Sequence, residues 1–507
     1  MVNASNDNNP AGQASLFEAA TSDARVKATA ARLSTRAPRL LYADRQQIEL
    51  RACDLDALVA AEHPARGVWA FVHALDLQPL YGQVKSLEGS AGAPAIDPAI
   101  LMALWLWATI DGVGSAREID RLCERDDIYR WLCGGVGVNH HTLASFRTAH
   151  TDWLDQQLTR SIASLMERKL VTLDVVAQDG LRVRAHAKAS SFRRKERLSE
   201  LHALALAQVN ALKGELEADA GASMRRKAAA RERAAREREQ RLAQALATFD
   251  KIEKSALDKK KDKASARAKR GKAAHKRAGE TPVDETVGTR AGHEHVSPSA
   301  EPQPPAPDER QSAASASAPR RVSTSDAQAR VMKMADGGFR PAYNAQVAVD
   351  ERTQLIVGVE VVCEGSDMNE MAPMHRQIAQ RYSQTPTHWL ADGGYPKYDA
   401  LEELSRCGTQ PVVPPSRSRK PGFDPLSPKD TDSPLIAQWR ARMASQEGQA
   451  LYQRRAASIE CVNAQLRRRG LSRFNVCGRV KAGAVLLWHA LAHNLMRMRS
   501  LGMAFNG

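Results

Sequence analysis

The sequence predicts a two-part chain, with an all-α amino-terminal domain followed by a mixed-sheet α/β domain that a long insertion interrupts. Three observations carry this. From about Ile48 to His150 apolar residues recur at three- and four-residue spacing with no alternating run. At Val171 the period changes to that of β-strands, breaks off after Ala187, and resumes near Ser325. Between these stretches lie a charged helical pattern and a proline-rich segment.

Size and charge bound the function. At roughly 100–200 residues per domain, 507 residues make two or three domains with ample core. The balance of 73 Lys and Arg against 58 Asp and Glu leaves +15, which attracts polyanions. An anionic membrane surface is the weaker partner. The longest apolar run, Ala99 to Ile110, is shorter than the roughly 18–20 residues that span a bilayer, and MVNASNDNNP is too polar for a signal peptide. Seven scattered cysteines without a C-x-x-C pair read as reduced, mostly buried thiols. The expected setting is the cytoplasm.

A disordered leader is expected over 1–35 and a helical domain over 36–165. Within it Asp97-Pro98 opens the helix AILMALWLWATI, Gly112-Val113-Gly114 stops it, and Ser115 caps the next. A polar loop, Gly134 to Asn139, leads into HHTLASFRTAH, which points Leu143 and Phe146 inward and His140, His141, Ser145, Arg147 and His150 outward. A helix-turn-helix and an ordinary helical bundle fit this pattern equally well.

The second domain is expected at 166–192 and 325–500. It begins with VTLDVVAQDG and LRVRAHA. A helical hairpin over 193–252 splits near Gly221; Leu198, Leu201, Ala205, Val209, Leu212 and Leu216 face Leu242, Leu246 and Phe249 in coiled-coil fashion. A disordered linker is expected over 253–324: residues 251–277 carry 12 Lys and Arg against 3 Asp and Glu, and seven prolines follow by Pro319. Order returns with AYNAQVAVD and LIVGVEVVC, two strands joined at Asp350 to Thr353. A helix through Met371, Met374 and Ile378 follows, then the short strands of PTHWLADGGY and QPVVPP around the helix YDALEELSRCG, and finally two long helices. The order β-β-β-α-β-α-β-α matches a ribonuclease H-like core.

Such a fold gathers three acids: Asp179 after the first strand, Asp392 after the fourth, and Glu460 on the long helix. Two Mg²⁺ ions roughly 3.5–4 Å apart, as in-line displacement at phosphorus uses them, need hard, charged oxygen donors. Taken singly, Asp179-Gly180 and Asp392-Gly393-Gly394 also read as turns and Glu460 as a solvent-facing acid. Asp174, Asp350 and Asp367 are rivals, and Asp174, five residues before Asp179, points to the opposite face of a regular strand.

The stretches HPAR, DPAILMALWLWATIDGVGSAREIDRL, YRWLCG, HHTLASFR, QDGLRVRAHAKAS, STSDAQARVMKMADGGFRPAYNAQVAVD, SDMNEMAPM, LADGGY and YQRRAASIECVNAQLRRRGLSRFNVCGRVKAGAVLLWHALAHNL, in this order, resemble the DDE transposases of bacterial insertion sequences. The resemblance spans nearly everything outside the leader and the insertion. It implies a metal-binding triad of Asp179, Asp392 and Glu460, two Mg²⁺ ions with Mn²⁺ as a substitute, and a Y-x-x-R element at Tyr452 and Arg455 that holds phosphate. The family's frequent lysine beyond the glutamate is Arg467 here, a planar fork for a point charge. The long stretch after Asp179 also departs from the commoner pattern.

The resulting expectation is a transposase that binds the terminal inverted repeats of its element and performs metal-dependent strand cleavage and strand transfer. Arg117, His141, Arg147 and Arg467 are its candidate DNA contacts, and handling two ends implies a homodimer or larger assembly on double-stranded DNA. A hydrolytic nuclease of the same fold and a catalytically inactive DNA-binding remnant are the alternatives.

Overall fold

The computed structural model describes residues 54–86, 93–218, 222–278, 320–415 and 424–503. The leader over 1–35 and the proline-rich stretch over 279–319 lie outside them.

Among the described residues of the first region seven α-helices follow a short 3-10 turn, Asp56–Leu58: α1 (Pro64–His73), α2 (Gln78–Tyr81), α3 (Pro98–Asp111), α4 (Ala116–Arg125), α5 (Asp127–Cys133), α6 (His140–Ala149) and α7 (Thr151–Glu167). Five of their starts, all but those of α2 and α7, carry side-chain caps. Asp97 accepts from the Ala99 amide at 2.8 Å with Pro98 in the first turn, Ser115 accepts from Glu118, and Asn139 accepts from Thr142. Gly112 ends α3 at φ 80°, a left-handed conformation that glycine adopts without strain. Every residue from Pro98 to Thr109 is buried, so α3 is a core helix. No single described helix is long and apolar enough to cross a membrane.

The sheet carries β1 (Val175–Arg184), β4 (Arg330–Lys333), β5 (Phe339–Asp350), β6 (Ile356–Val362), β7 (His388–Leu390) and β8 (Gln410–Val412), while β2 (Phe192–Arg193) and β3 (Val322–Ser323) form a separate two-stranded pair. β1 sits in the middle. It runs antiparallel to β5 and parallel to β7, β8 continues parallel beyond β7, and β4 and β6 share the other edge of β5. The order β6-β5-β1-β7-β8, three antiparallel strands then two parallel ones, is the ribonuclease H-like arrangement. LRVRAHA is therefore no second strand: it continues β1.

The insertion forms α8 (Lys195–Ala218) and α9 (Ala222–Ala278), packed as a hairpin with its own core of Leu198, Ala205, Leu242, Ala245 and Phe249 joined by Val322 and Ala327. His202 meets Glu239 at 2.9 Å across it. The expected linker over 253–324 is overtaken at both ends, because α9 runs on to Ala278 and chain order resumes before β3. Alanine and lysine propensity is enough to continue a helix that packing has nucleated.

The chain then adds α10 (Met371–Tyr382), α11 (Tyr398–Arg406), α12 (Pro434–Ala444), α13 (Gln446–Arg455), α14 (Cys461–Arg468) and α15 (Arg479–Ser500). α15 is buried along most of its length and packs on α3, α7 and β6 at once. One hydrophobic core therefore runs from the amino-terminal helices through the sheet. Trp488 Nε1 donates to the Arg147 carbonyl and Trp105 Nε1 to that of Leu143, each at 2.9 Å.

Candidate active site

Asp179 does not follow the first strand; it lies inside it, since β1 extends through Gly180 to Arg184. The turn reading of Asp179-Gly180 is excluded with it. The parallel register pairs Val175 with His388 and Ala177 with Leu390, so Asp179 stands level with Asp392, two residues past the last pair. Asp392 emerges where β7 ends, its Oδ1 accepting from the Gly394 amide at 2.8 Å.

Gly180 is there because nothing larger fits. A Cβ at this position would lie 2.3 Å from Asp367 Oδ1 and 2.7 Å from Gln346 Nε2. Strand alternation therefore puts Asp367 on the face opposite Asp179. Asp367 is held by Asn344 Nδ2 at 2.6 Å, Gln346 Nε2 at 2.7 Å and Arg182 Nη2 at 2.9 Å, all from β5 and β1. Of the other rivals, Asp350 turns its carboxylate to the Thr353 amide and hydroxyl, closing the β5–β6 hairpin, and Asp174 is exposed before β1 begins.

Glu460 arrives by an irregular helix. Between α13 and α14 the backbone forms a π turn, Ala456–Glu460, without breaking the helix. Arg455 Nη2 donates to Glu460 Oε1 at 2.7 Å, and Arg455 Nη1 stands 3.8 Å from Asp179 Oδ2. Tyr452, one turn earlier, presents its ring 5.9 Å from the same guanidinium. Asn463, one turn after Glu460, donates from Nδ2 to Asp179 Oδ2 at 2.9 Å. Asn463 is a site residue that the acid pattern misses; its spacing of three from Glu460 on a helix is the signal that would find it.

Burial, the largest cause, pushes the Asp179 pKa up to about 6; Asp392 and Asp367 add to the rise and Arg455 opposes it. The Tyr395 hydroxyl, which donates to Gln346 Oε1 at 2.6 Å, is pushed well up by burial and then by Asp367, Asp179 and Asp392. Three carboxylates thus act on one buried point. No three His, Cys, Asp or Glu side chains close on a single centre among the described residues, since Glu460 is turned to Arg455. The donor set nevertheless fits a hard divalent cation: carboxylate oxygens whose crowding and burial the Arg455 guanidinium offsets only in part, beside a buried Asn463 Oδ1 that has no partner among the described residues. Arg455 Nη1 is also buried without a hydrogen bond, its nearest charge the Asp179 carboxylate at 3.8 Å.

Residues 310–495 match the family model described as Transposase DDE domain, and residues 53–149 match the one described as Transposase domain (DUF772). The chain belongs to the DDE transposases. The comparison with curated proteins returns no match, and neither does that with solved structures. Asp392 and Glu460 lie within the first of the matched spans. Asp179 lies ahead of it, across the insertion, and joins them only through the sheet register.

The transposase presents its candidate DNA contacts unequally. Arg117 on α4, His141 on α6 and Arg467 on α14 are exposed, and His141 stacks on His140 at 4.1 Å. Arg147 is not on the outer face: it is buried, its guanidinium donating to the Gly114 and Asn475 carbonyls and lying 4.8 Å over the Trp105 ring. It follows Leu143 by four residues, which is the inward side of α6, and only its charge argued for the outer one. Arg467 joins Arg182, Arg184, Lys333 and Arg340 around a groove of about 720 Å³ that begins at Gly180. Individually scattered in the sequence, these cations form a patch only once β1, β4, β5 and α14 are assembled.

Proposed function

We propose that this transposase recognises the terminal inverted repeats of its own insertion sequence and, with Mg²⁺ held by Asp179, Asp392 and Glu460, cuts at the element's ends and joins the freed 3′-hydroxyl to target DNA. The observation that supports it best is the level placement of Asp179 and Asp392 on adjoining parallel strands, with Arg455 tying Asp179 to Glu460. Both steps are displacements at phosphorus, and water and a 3′-hydroxyl take the same nucleophile position. Divalent metal bound there supplies charge stabilisation for the attacking and leaving oxygens. Arg455 holds a non-bridging phosphate oxygen with Nη1, which makes no hydrogen bond and only a 3.8 Å ion pair to Asp179, and Tyr452 keeps that guanidinium in place by covering it. Asn463 fixes the Asp179 carboxylate through Nδ2. Two copies acting together on the paired ends complete the reading.

The test uses the full chain, a plasmid bearing the repeats that flank the reading frame, and Mg²⁺ or Mn²⁺. Asp179→Asn, Asp392→Asn and Glu460→Gln are each expected to abolish cutting and joining while keeping DNA binding, and Asp174→Asn to keep all three. Cutting without joined products would make the chain a hydrolytic nuclease. An inactive Asp174→Asn beside an active Asp179→Asn would overturn the triad.

A further inference from the structure

A second basic site lies at the seam between the helical region and the sheet. A cavity of about 270 Å³, many times the ~30 Å³ share of one water, is lined by four guanidinium groups, those of Arg147, Arg184, Arg469 and Arg473, and by no carboxylate. None of the four has an acidic partner among the described residues. Arg147 reaches it from α6, Arg184 from the end of β1, and Arg469 and Arg473 from the turn after α14.

The polar atoms there are incompletely satisfied. Arg147 donates from Nη1 to Gly114 at 2.8 Å and from Nη2 to Asn475 at 3.4 Å, but its Nε is buried without a partner. Arg469 Nη1 donates to His493 Nδ1 at 3.1 Å, because His493 Nε2 faces the Gln354 carbonyl at 2.9 Å and carries the ring proton. His489 also lines the cavity with a buried, unpartnered Nδ1; burial, then Arg469 and Arg147, lower its pKa to about 3, so it stays neutral. Burial lowers that of Arg147 only to about 10, so its charge persists at neutral pH. Several guanidiniums, one of them buried, face one space without an anion, an arrangement that a bound anion relieves. The planar fork of arginine matches a phosphate group in particular.

The cavity is not isolated. Arg184 and Ser472 line both it and the groove that begins at Gly180, next in the chain to Asp179. We propose that the seam cavity is a phosphate site, occupied by a backbone phosphate of a DNA strand that lies along the Arg182–Arg184 groove, on the face of β1 opposite Asp179. Its assignment to that strand rests on the transposase reading above.

Arg184 and Arg473 are exposed, and their backbones pair independently of their side chains, Phe474 N donating to the Arg184 carbonyl at 2.8 Å. Variants there keep the fold. The full-length protein without metal is titrated with inorganic phosphate against chloride at constant ionic strength and followed by its melting temperature. The parent is expected to melt several degrees higher at saturating phosphate, Arg473→Glu and Arg184→Ala to lose that shift, and Arg160→Ala, an exposed arginine that lines neither cavity, to keep it. In duplex DNA binding, Arg473→Ala should lower the slope of log K against log salt by about one, the signature of one lost phosphate contact. No phosphate shift, or an equal shift in the parent and Arg473→Glu, overturns the site. A shift with an unchanged DNA slope overturns its assignment to DNA and leaves a site for free phosphate. Mg²⁺-dependent cutting by the same preparations separates the two readings: absence of cutting with both binding effects intact defeats the catalytic reading alone, and cutting without them defeats the seam site alone.

Discussion

Arg455 donates to Glu460 at 2.7 Å across five residues of one unbroken helix. In α geometry five residues turn about 500°, which leaves two side chains about 140° apart around the axis. The π turn Ala456–Glu460 closes that gap, since its repeat brings residues five apart onto one side. The same guanidinium lies 3.8 Å from Asp179, so the turn decides whether the helix acid and the strand acid belong to one site.

Inserting one alanine after Ala457, an exposed residue of the turn, sets the two residues six apart, about 240° around the axis in α geometry, and should swing Glu460 away from Arg455. Metal-dependent cutting is expected to vanish, with a cooperative melting transition retained. Wild-type cutting rates in the insertion variant would show that the site does not need the turn.

Asp179 carries the cost of gathering acids. Its folded pKa, about 6, lies above the 3.8 of an ordinary aspartate. The sign follows: protonated Asp179 favours the fold below about pH 4, and this contribution is lost as pH rises through 6. At 1.36 kcal/mol per unit the ionised carboxylate weakens the metal-free fold at pH 8 by up to about 3 kcal/mol. Asp179→Asn should therefore be more stable than the parent at pH 8 without metal, by about 1–3 kcal/mol, and lose that advantage below pH 4. Added Mg²⁺ should raise the melting temperature of the parent and leave the variant unmoved. Denaturant titrations at both pH values measure it, and equal stability at pH 8 would remove the buried-charge account.

How legible all this is in the sequence depends on the range of the cause. The β5–β6 hairpin and the helix starts at Asp97 and Ser115 are set by neighbours within a few residues, and each stands where the pattern puts it. Asp179-Gly180 misleads because Asp-Gly is locally a turn signal, whereas its glycine is required by Asp367, far along the chain. Arg147 misleads because its partners, Gly114, Trp105 and Asn475, come from two other parts of the fold. The π turn in AASIE carries no composition signal at all. Asp392 and Glu460 were readable from element order, and the register that sets Asp179 level with Asp392 was not.

Gly180→Ala tests the close approach from the other face. The added methyl must displace Asp367 Oδ1 from 2.3 Å or push β1 away from β5. A loss of about 1–3 kcal/mol is expected from overpacking, read by chemical denaturation, together with slower cutting because Asp179 is the adjoining residue. Unchanged stability would mean that the Asp367 side chain shifts freely, despite its bonds to Asn344, Gln346 and Arg182.

The helical region offers a sharper contrast between surface and core arginines. Arg147→Ala leaves the Asn475 carbonyl without its donor and uncovers Trp105, while Gly114 keeps a bond from Asn475 Nδ2 at 3.2 Å. The expected loss is about 1–3 kcal/mol of stability, and any weakening of DNA binding should accompany it. Arg117→Ala and His141→Ala remove exposed side chains, so stability should change by no more than about 0.5 kcal/mol. If α4 and α6 face the element's ends, both variants should bind terminal-repeat DNA more weakly at unchanged melting temperature. Loss of a phosphate contact at Arg117 would also lower the salt slope by about one, and loss of a base contact would relax the preference for the repeat over random duplex. Full affinity and full preference in both variants would assign α4 to packing against α6 and α6 to packing against α15, and turn the search for the reader to the Arg467 groove.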